Sequence, residues 1–178
     1  MATSSTSPRL TDEDLLVALA NTGHDGPDEL ADAVAFRAWW RRQESAPTTD
    51  AGEPDLDAVR AARDLIRGLA LRNNGVEVDV RAGALGRLPL HVAVTGGPDL
   101  VVADVTDLGR VVAARAAAAL LRTAGGPDWK RLKACPGPDC GWAFADRSRN
   151  GSRRWCQMSE CGNRAKGAAF RERARTGA

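Results

Sequence analysis

Cys135-Pro136-Gly137-Pro138-Asp139-Cys140 and, fifteen residues further on, Cys156-Gln157-Met158-Ser159-Glu160-Cys161 hold all four cysteines of the chain in two pairs of equal spacing. Zinc takes four thiolates in a tetrahedron, and two short loops that each present two sulfurs can close around one ion without straining the backbone. The spacing therefore predicts one structural Zn2+ per chain, bound by Cys135, Cys140, Cys156 and Cys161. A catalytic zinc keeps one position open for water, and a fourth cysteine closes it. Gly and Pro residues in the 135–141 stretch permit a tight knuckle. Asn150-Gly151 is a hairpin-turn dipeptide, so Trp142–Ala145 and Arg153–Trp155 are expected as its two strands. A helix is expected after Cys161. Knuckle, hairpin and helix in that order describe a treble-clef-like finger.

Charge divides the chain at the same place. Residues 1–128 carry 13 basic and 19 acidic side chains, net −6, whereas 129–178 carry 12 and 4, net +8, which together give the overall +2. Four thiolates on one dication add −2 that this count omits, so some arginines are expected to compensate the metal site. The remainder points to a polyanion partner for the C-terminal module and to an acidic, self-associating body.

The fold class expected is α+β, mainly α: a helical N-terminal domain with a small β-hairpin, followed by the finger. Domain limits are set at 1–9 for a disordered tail, 10–127 for the helical domain and 128–175 for the finger, with the boundary at Gly125-Gly126-Pro127-Asp128. Thr11-Asp12-Glu13-Asp14 opens a first helix as a capping box. A second is expected over Asp28 to Glu44, with Phe36, Trp39 and Trp40 read as core rather than as a ligand pocket. A third shows a stripe of Leu56, Val59, Ala62, Ile66 and Leu69, with Arg60, Arg63, Asp64 and Arg67 facing away, and it stops at Asn73-Asn74-Gly75. Val76–Val80 alternates like a strand, and 81–88 is either a short helix or a loop. Leu90–Val94 and Leu100–Ala103 are expected to pair as a hairpin, and a fourth, Ala-rich helix to run from Leu108 to about Thr123. His24 reads as a turn residue and His91 as a structural strand residue, neither with a ligand set around it. No nucleophile triad, carboxylate pair or phosphate cradle is present, so no enzyme is expected. The N-terminus shows no signal-peptide pattern, and no run approaches membrane-spanning length. A cytoplasmic protein is expected, in which paired cysteines serve as metal ligands rather than disulfides.

Asp146-Arg147-Ser148-Arg149-Asn150-Gly151-Ser152-Arg153-Arg154-Trp155-Cys156, together with Cys161-Gly162-Asn163-Arg164, resembles the CGNR zinc finger, a C-terminal module of bacterial proteins described as stress-induced transcription regulators. The resemblance covers the last quarter of the chain. Upstream, Leu19-Ala20-Asn21-Thr22 and the Arg- and Ala-rich helical layout resemble the ABATE-type domain that precedes this finger. DNA binding and transcription regulation are what the resemblance implies.

On a helix of about 100° per residue, Asn163, Gly167, Phe170 and Ala174 share one side, expected to pack on the zinc module. Arg164, Arg171 and Arg175 line one flank of it, and Lys166 and Arg173 the other. Arg164 is expected at a base edge and the rest at phosphates, with Arg147, Arg149, Arg153 and Arg154 of the hairpin as further nucleic-acid contacts. Asn163 is expected to hydrogen-bond at the helix start. DNA is the leading partner, with homodimerisation through the N-terminal domain and an effector that the sequence does not name. Two other functions compete: an RNA- or protein-interaction module, and a thiol or zinc redox sensor, although the closed shell predicts unreactive thiols.

Overall fold

The computed structural model describes residues 10–24, 26–43, 52–94, 97–102 and 106–177. The expected tail, most of the 45–54 loop and part of the turn between the two body strands lie outside the described residues. The architecture is α+β and mainly α, with five α-helices and two two-stranded antiparallel sheets among the described residues. No helix in them is long and apolar enough to cross a membrane.

Helix α1 (Asp12–Ala20) starts where Thr11 accepts from the Asp14 N–H at 3.1 Å, the capping interaction its sequence announces. Helix α2 (Ala33–Gln43) begins five residues later than expected. Asp28 and Asp32 account for the delay: the Asp28 carboxylate accepts from the Leu30 N–H and from Arg63, while Asp32 accepts from the Ala35 N–H at 2.8 Å and so marks the first turn. Phe36, Trp39 and Trp40 are buried in the core. Helix α3 (Leu56–Asn73) buries Val59, Ala62, Ile66 and Ala70.

The arginines expected to face away from α3 instead hold the α1–α2 connection. Arg60 donates to the Leu30 carbonyl, Arg63 to Asp28, and Arg67 to the carbonyls of Ala20 and Thr22, both at 2.6 Å. A loop buried against a helix needs donors for its carbonyls, and long guanidinium side chains supply them from the helix flank.

Val76–Val80 forms no strand. The Arg72 guanidinium takes the Val78 carbonyl, and Val80 packs over Gly68, whose missing side chain leaves the space. A 3-10 turn, Gly83–Arg87, follows. β1 (Leu90–Ala93) and β2 (Asp99–Val102) pair in the register Leu90↔Val102 to Ala93↔Asp99. Arg122 of α4 (Leu108–Ala124) pins this hairpin to the body by donating to Asp99 of β2 and to both carboxylate oxygens of Asp12 in α1. That hydrogen bond is the main reason the guanidinium pKa is raised, and the same contact lowers that of Asp12.

Asp107 joins the N-termini of α3 and α4. The Asp107 carboxylate accepts from the Arg110 N–H of its own helix and from the Asp55 N–H at the start of α3, at 3.1 and 3.0 Å. Gly109 makes the approach possible, since a Cβ there would lie 2.5 Å from the Asp55 carbonyl oxygen. Backbone cannot yield as a flexible side chain would.

The finger begins with β3 (Leu132–Ala134), which pairs antiparallel with β4 (Ala143–Ala145), Ala134 opposite Ala143. This corrects the expected pairing of Trp142–Ala145 with Arg153–Trp155. The knuckle itself sets the register, because the Cys135 N–H donates to the Trp142 carbonyl at 2.9 Å and the Gly141 N–H to the Cys135 carbonyl at 3.2 Å. The carbonyls of 153–155 are taken by side chains instead: Lys133 holds that of Arg153, Asn74 that of Arg154, and Arg153 that of Trp155. Asn150-Gly151 does turn, with Gly151 at φ +60°, but inside a loop rather than a hairpin.

Leu132, Ala134 and Ala143 belong to the same buried cluster as the helices. Three asparagines tie the backbones together. Asn21 pairs with Ala143 as a strand would, donating to its carbonyl and accepting from its N–H at 2.9 and 2.8 Å. Asn73 donates to the carbonyls of Trp129 and Leu132, and Asn74 to those of Ala134 and Arg154. The α3 stop signal in the sequence is thus also the docking site of the finger. Gly109→Ala is expected to lower stability by about 1–3 kcal/mol through overpacking at the α3–α4 contact, measured as a fall in the urea midpoint with an unchanged m-value.

Candidate metal centre and its basic helix

Two elements bring the four sulfurs together. Between β3 and β4 the knuckle folds with Asp139 at φ +58° and Gly141 at φ +69°, left-handed backbone that Asp and Gly tolerate better than most residues, and this turns Cys135 and Cys140 toward each other. From the other side, a single π-helical turn, Met158–Gly162, carries Cys161 into the start of α5 (Asn163–Thr176), while Cys156 precedes that turn. The Asn163 amide donates to the Ser159 carbonyl at 3.0 Å and closes it, as expected of a hydrogen bond at the helix start.

All four Sγ atoms lie within 4.8 Å of one another, the one such group of metal-ligating side chains among the described residues. Cys140 and Cys156 are 3.6 Å apart at sulfur, as are Cys156 and Cys161. A disulfide needs about 2 Å. A tetrahedral zinc with Zn–S bonds of about 2.3 Å places its sulfurs about 3.8 Å apart, so the donor set fits the ion in both chemistry and size. When bound, zinc supplies the charge that lets four thiolates coexist. One Zn2+ per chain is held here in a closed, structural shell.

Residues 131–174 match the CGNR zinc finger. A search of curated proteins found no match to the chain. The matched segment of the CGNR finger opens one residue before β3 and ends inside α5.

Without the ion, burial pushes the Cys156 thiol up, and the neighbouring thiols push it further. Burial also acts upward on Cys161, but the hydrogen bond from Arg164 and those from the other cysteines outweigh it and leave the thiol lowered. Arg164 Nη2 lies 3.0 Å from Cys161 Sγ. The arginine expected at a base edge is therefore engaged at the metal centre.

The nucleic-acid candidates separate into two groups. Arg147 pairs with Glu13 of α1. Arg153 donates to the carbonyls of Trp155 and Cys156 and stacks 4.5 Å over the Phe144 ring, and Arg154 lies over Trp155. Lys166, Arg171, Arg173 and Arg175 project along α5, which buries none of its side chains, and Arg175 lies 4.0 Å from Glu172. Arg149 is exposed in the loop. The expectation that Phe170 packs on the zinc module is overturned, since its side chain is 66% exposed. None of the side chains of α5 is buried, so among the described residues no element covers that face.

Sequence reasoning missed the pair that shapes the arginine loop. Lys133 and Asp146 are 7% and 1% exposed and joined at 2.7 Å. Lys133 also donates to the carbonyls of Gly151 and Arg153, at 2.5 and 2.9 Å. Asp146 further accepts from the Ser148 N–H and hydroxyl and from the Arg153 N–H. Two charges inside a basic segment read as solvated, and only the short strand pairing of Lys133 with Phe144 turns the lysine inward. His24, read as a turn residue, meets Trp142 edge-on at 5.1 Å.

Burial raises the Asp146 pKa, but the hydrogen bonds from Lys133 and Ser148 dominate and hold it well below the usual carboxylate range. A depressed carboxylate stabilises the fold above its unfolded pKa of about 3.9 and loses that contribution as pH falls through the folded value. Asp146→Asn leaves the Lys133 ammonium buried without its counter-charge and should cost about 3–5 kcal/mol. Urea titrations should show that deficit constant between neutral pH and pH ~5 and shrinking only below ~4, the unfolded aspartate's range. Cys140→Ser and Cys156→Ser should each abolish stoichiometric zinc by metal analysis and unfold the finger, since zinc binding is worth ~10–16 kcal/mol in finger peptides. The helical circular dichroism of α1 to α4 should persist.

Proposed function

We propose that this chain is a DNA-binding transcription regulator in which the CGNR finger presents α5 to the duplex. The observation that carries it is α5 itself: it leaves the zinc shell at Cys161, buries no side chain, and displays Lys166, Arg171 and Arg173 without a partner among the described residues. A rigidly rooted, exposed cationic helix is suited to a major groove, with phosphates on either side of it. Arg175 extends the same helix surface, Arg149 is a further exposed cation of the finger, and the net +8 of residues 129–178 supplies attraction independent of sequence. Arg147, Arg153, Arg154 and Arg164 act on the finger's own structure in this reading.

The helical body is an ABATE-type domain in this proposal, acidic and fit for association as a homodimer or for sensing a signal, in a bacterial stress response in the cytoplasm. It is not an enzyme, because four cysteines leave the zinc no position for water. Phe170 favours a second reading. An aromatic ring exposed amid cations can stack on an unpaired base, which would make the partner single-stranded RNA.

Binding to random-sequence duplex DNA, followed by fluorescence anisotropy across a salt series with single-stranded RNA as competitor, tests both readings. Lys166→Ala, Arg171→Ala and Arg173→Ala should each weaken duplex binding for all sequences alike and reduce the log–log salt slope by about 1. A zinc-loaded triple variant that binds like the parent would remove α5 from the interface. Preferential displacement by RNA, lost in Phe170→Ala, would select the second reading.

A further inference from the structure

The charge of a four-thiolate zinc centre has to be answered close by. Four thiolates around one dication leave −2 on the cluster, and donors that reach the sulfurs reduce it. Among the described residues the Arg164 guanidinium does so, lying 3.0 Å from Cys161 Sγ. It carries a full charge. Of the hairpin arginines read in the sequence as nucleic-acid contacts, Arg147 goes to Glu13, Arg153 to backbone carbonyls and Arg154 to Trp155.

The Cys161-Gly162-Asn163-Arg164 stretch reads as one device for placing that guanidinium. Cys161 ends up within the π-helical turn, whose residue Met158 lies over Gly162; a Cβ there would come 2.4 Å from the Met158 sulfur. Asn163 locks the turn through Ser159. Arg164 then stands three residues after the ligand on the first turn of α5, where its side chain folds back to the sulfur.

We infer that Arg164 is a positioning residue of the metal centre: its charged N–H on the Cys161 thiolate offsets the cluster's negative charge and slows loss of zinc. It also ties the first turn of α5 to the shell, so the helix direction and metal retention share one contact. Partners of this kind change metal affinity by about 10–100-fold elsewhere, and the exposure of Arg164 places its effect at the lower end.

The test uses the full-length, zinc-loaded chain without nucleic acid, so its outcome does not depend on the proposed function. Zinc transfer to an excess of chromophoric chelator is timed for the parent, Arg164→Gln, Arg164→Lys and, as a control for loss of charge on the same helix, Arg171→Gln. Arg164→Gln should release zinc about tenfold faster, Arg164→Lys should fall between it and the parent, and Arg171→Gln should match the parent. In the cobalt-substituted protein the thiolate-to-metal charge-transfer band should shift in Arg164→Gln and not in Arg171→Gln, a signature that a general loss of stability would not give. If Arg164→Gln fails to load metal, Arg164→Lys carries the test: faster release supports the inference and parental release overturns it. Parental release from Arg164→Gln, or equal acceleration by Arg171→Gln, also overturns it.

Discussion

Four thiolates confined within 4.8 Å repel one another unless a cation sits among them, and the finger is built around that constraint. Its own apolar cluster is Cys135, Phe144 and Cys161, with Cys140, Trp142, Trp155 and Cys156 against it, so four of its seven members are ligands. So small a cluster cannot hold a fold by burial alone. The metal therefore does the work of a core, joining a knuckle with left-handed backbone to a π-helical turn. Both are costly local conformations that ligation fixes in place.

Zinc orders one end of the finger, and the body orders the other. β3 lies on α3 with Leu132, Ala134 and Ala143 in the common core, and Asn21, Asn73 and Asn74 satisfy backbone groups that a third strand would otherwise have to meet. An amide side chain presents a donor and an acceptor in one plane, as a peptide does, which is why Asn21 can complete the edge of β4. The same bonds bear on cutting the chain after residue 127. The cut would expose the α3 face under β3 and leave Asn73 and Asn74 without their carbonyl partners.

What could be read in the sequence follows the range of the interactions responsible. The four ligands, the capped start of α1, the apolar stripe of α3 and the β1–β2 hairpin depend on neighbours within a few residues, and they appear as spaced residue types. The strand pairing in the finger was misassigned because Asn150-Gly151 is a strong local turn signal. The true partner, Leu132–Ala134, precedes the first cysteine and has too few residues to show a period. Arg60 and Arg67 looked like a solvated face because their partners are carbonyls of a loop some 30 to 47 residues away, which carry no sequence mark. Lys133 and Asp146 were hidden for the same reason. A buried ion pair is invisible until both ends are placed.

Phe170 and Arg164 exchange the roles their helical angles suggest, and this narrows the cationic surface. Periodicity assigns an aromatic to the buried side of a helix only if something lies there to bury it, and among the described residues nothing buries a side chain of α5. Arg164 is on the first turn, close enough to fold back onto sulfur, and the cations beyond it are not. Of the nine basic residues singled out in the finger, Arg164, Arg153, Arg147 and Arg154 are engaged by thiolate, carbonyl, carboxylate and ring respectively. Lys166, Arg171, Arg173 and Arg175 lie further along α5, which buries none of its side chains. The net charge of +8 thus overstates the cationic surface left exposed, while the turn at Cys161 roots the helix that carries it.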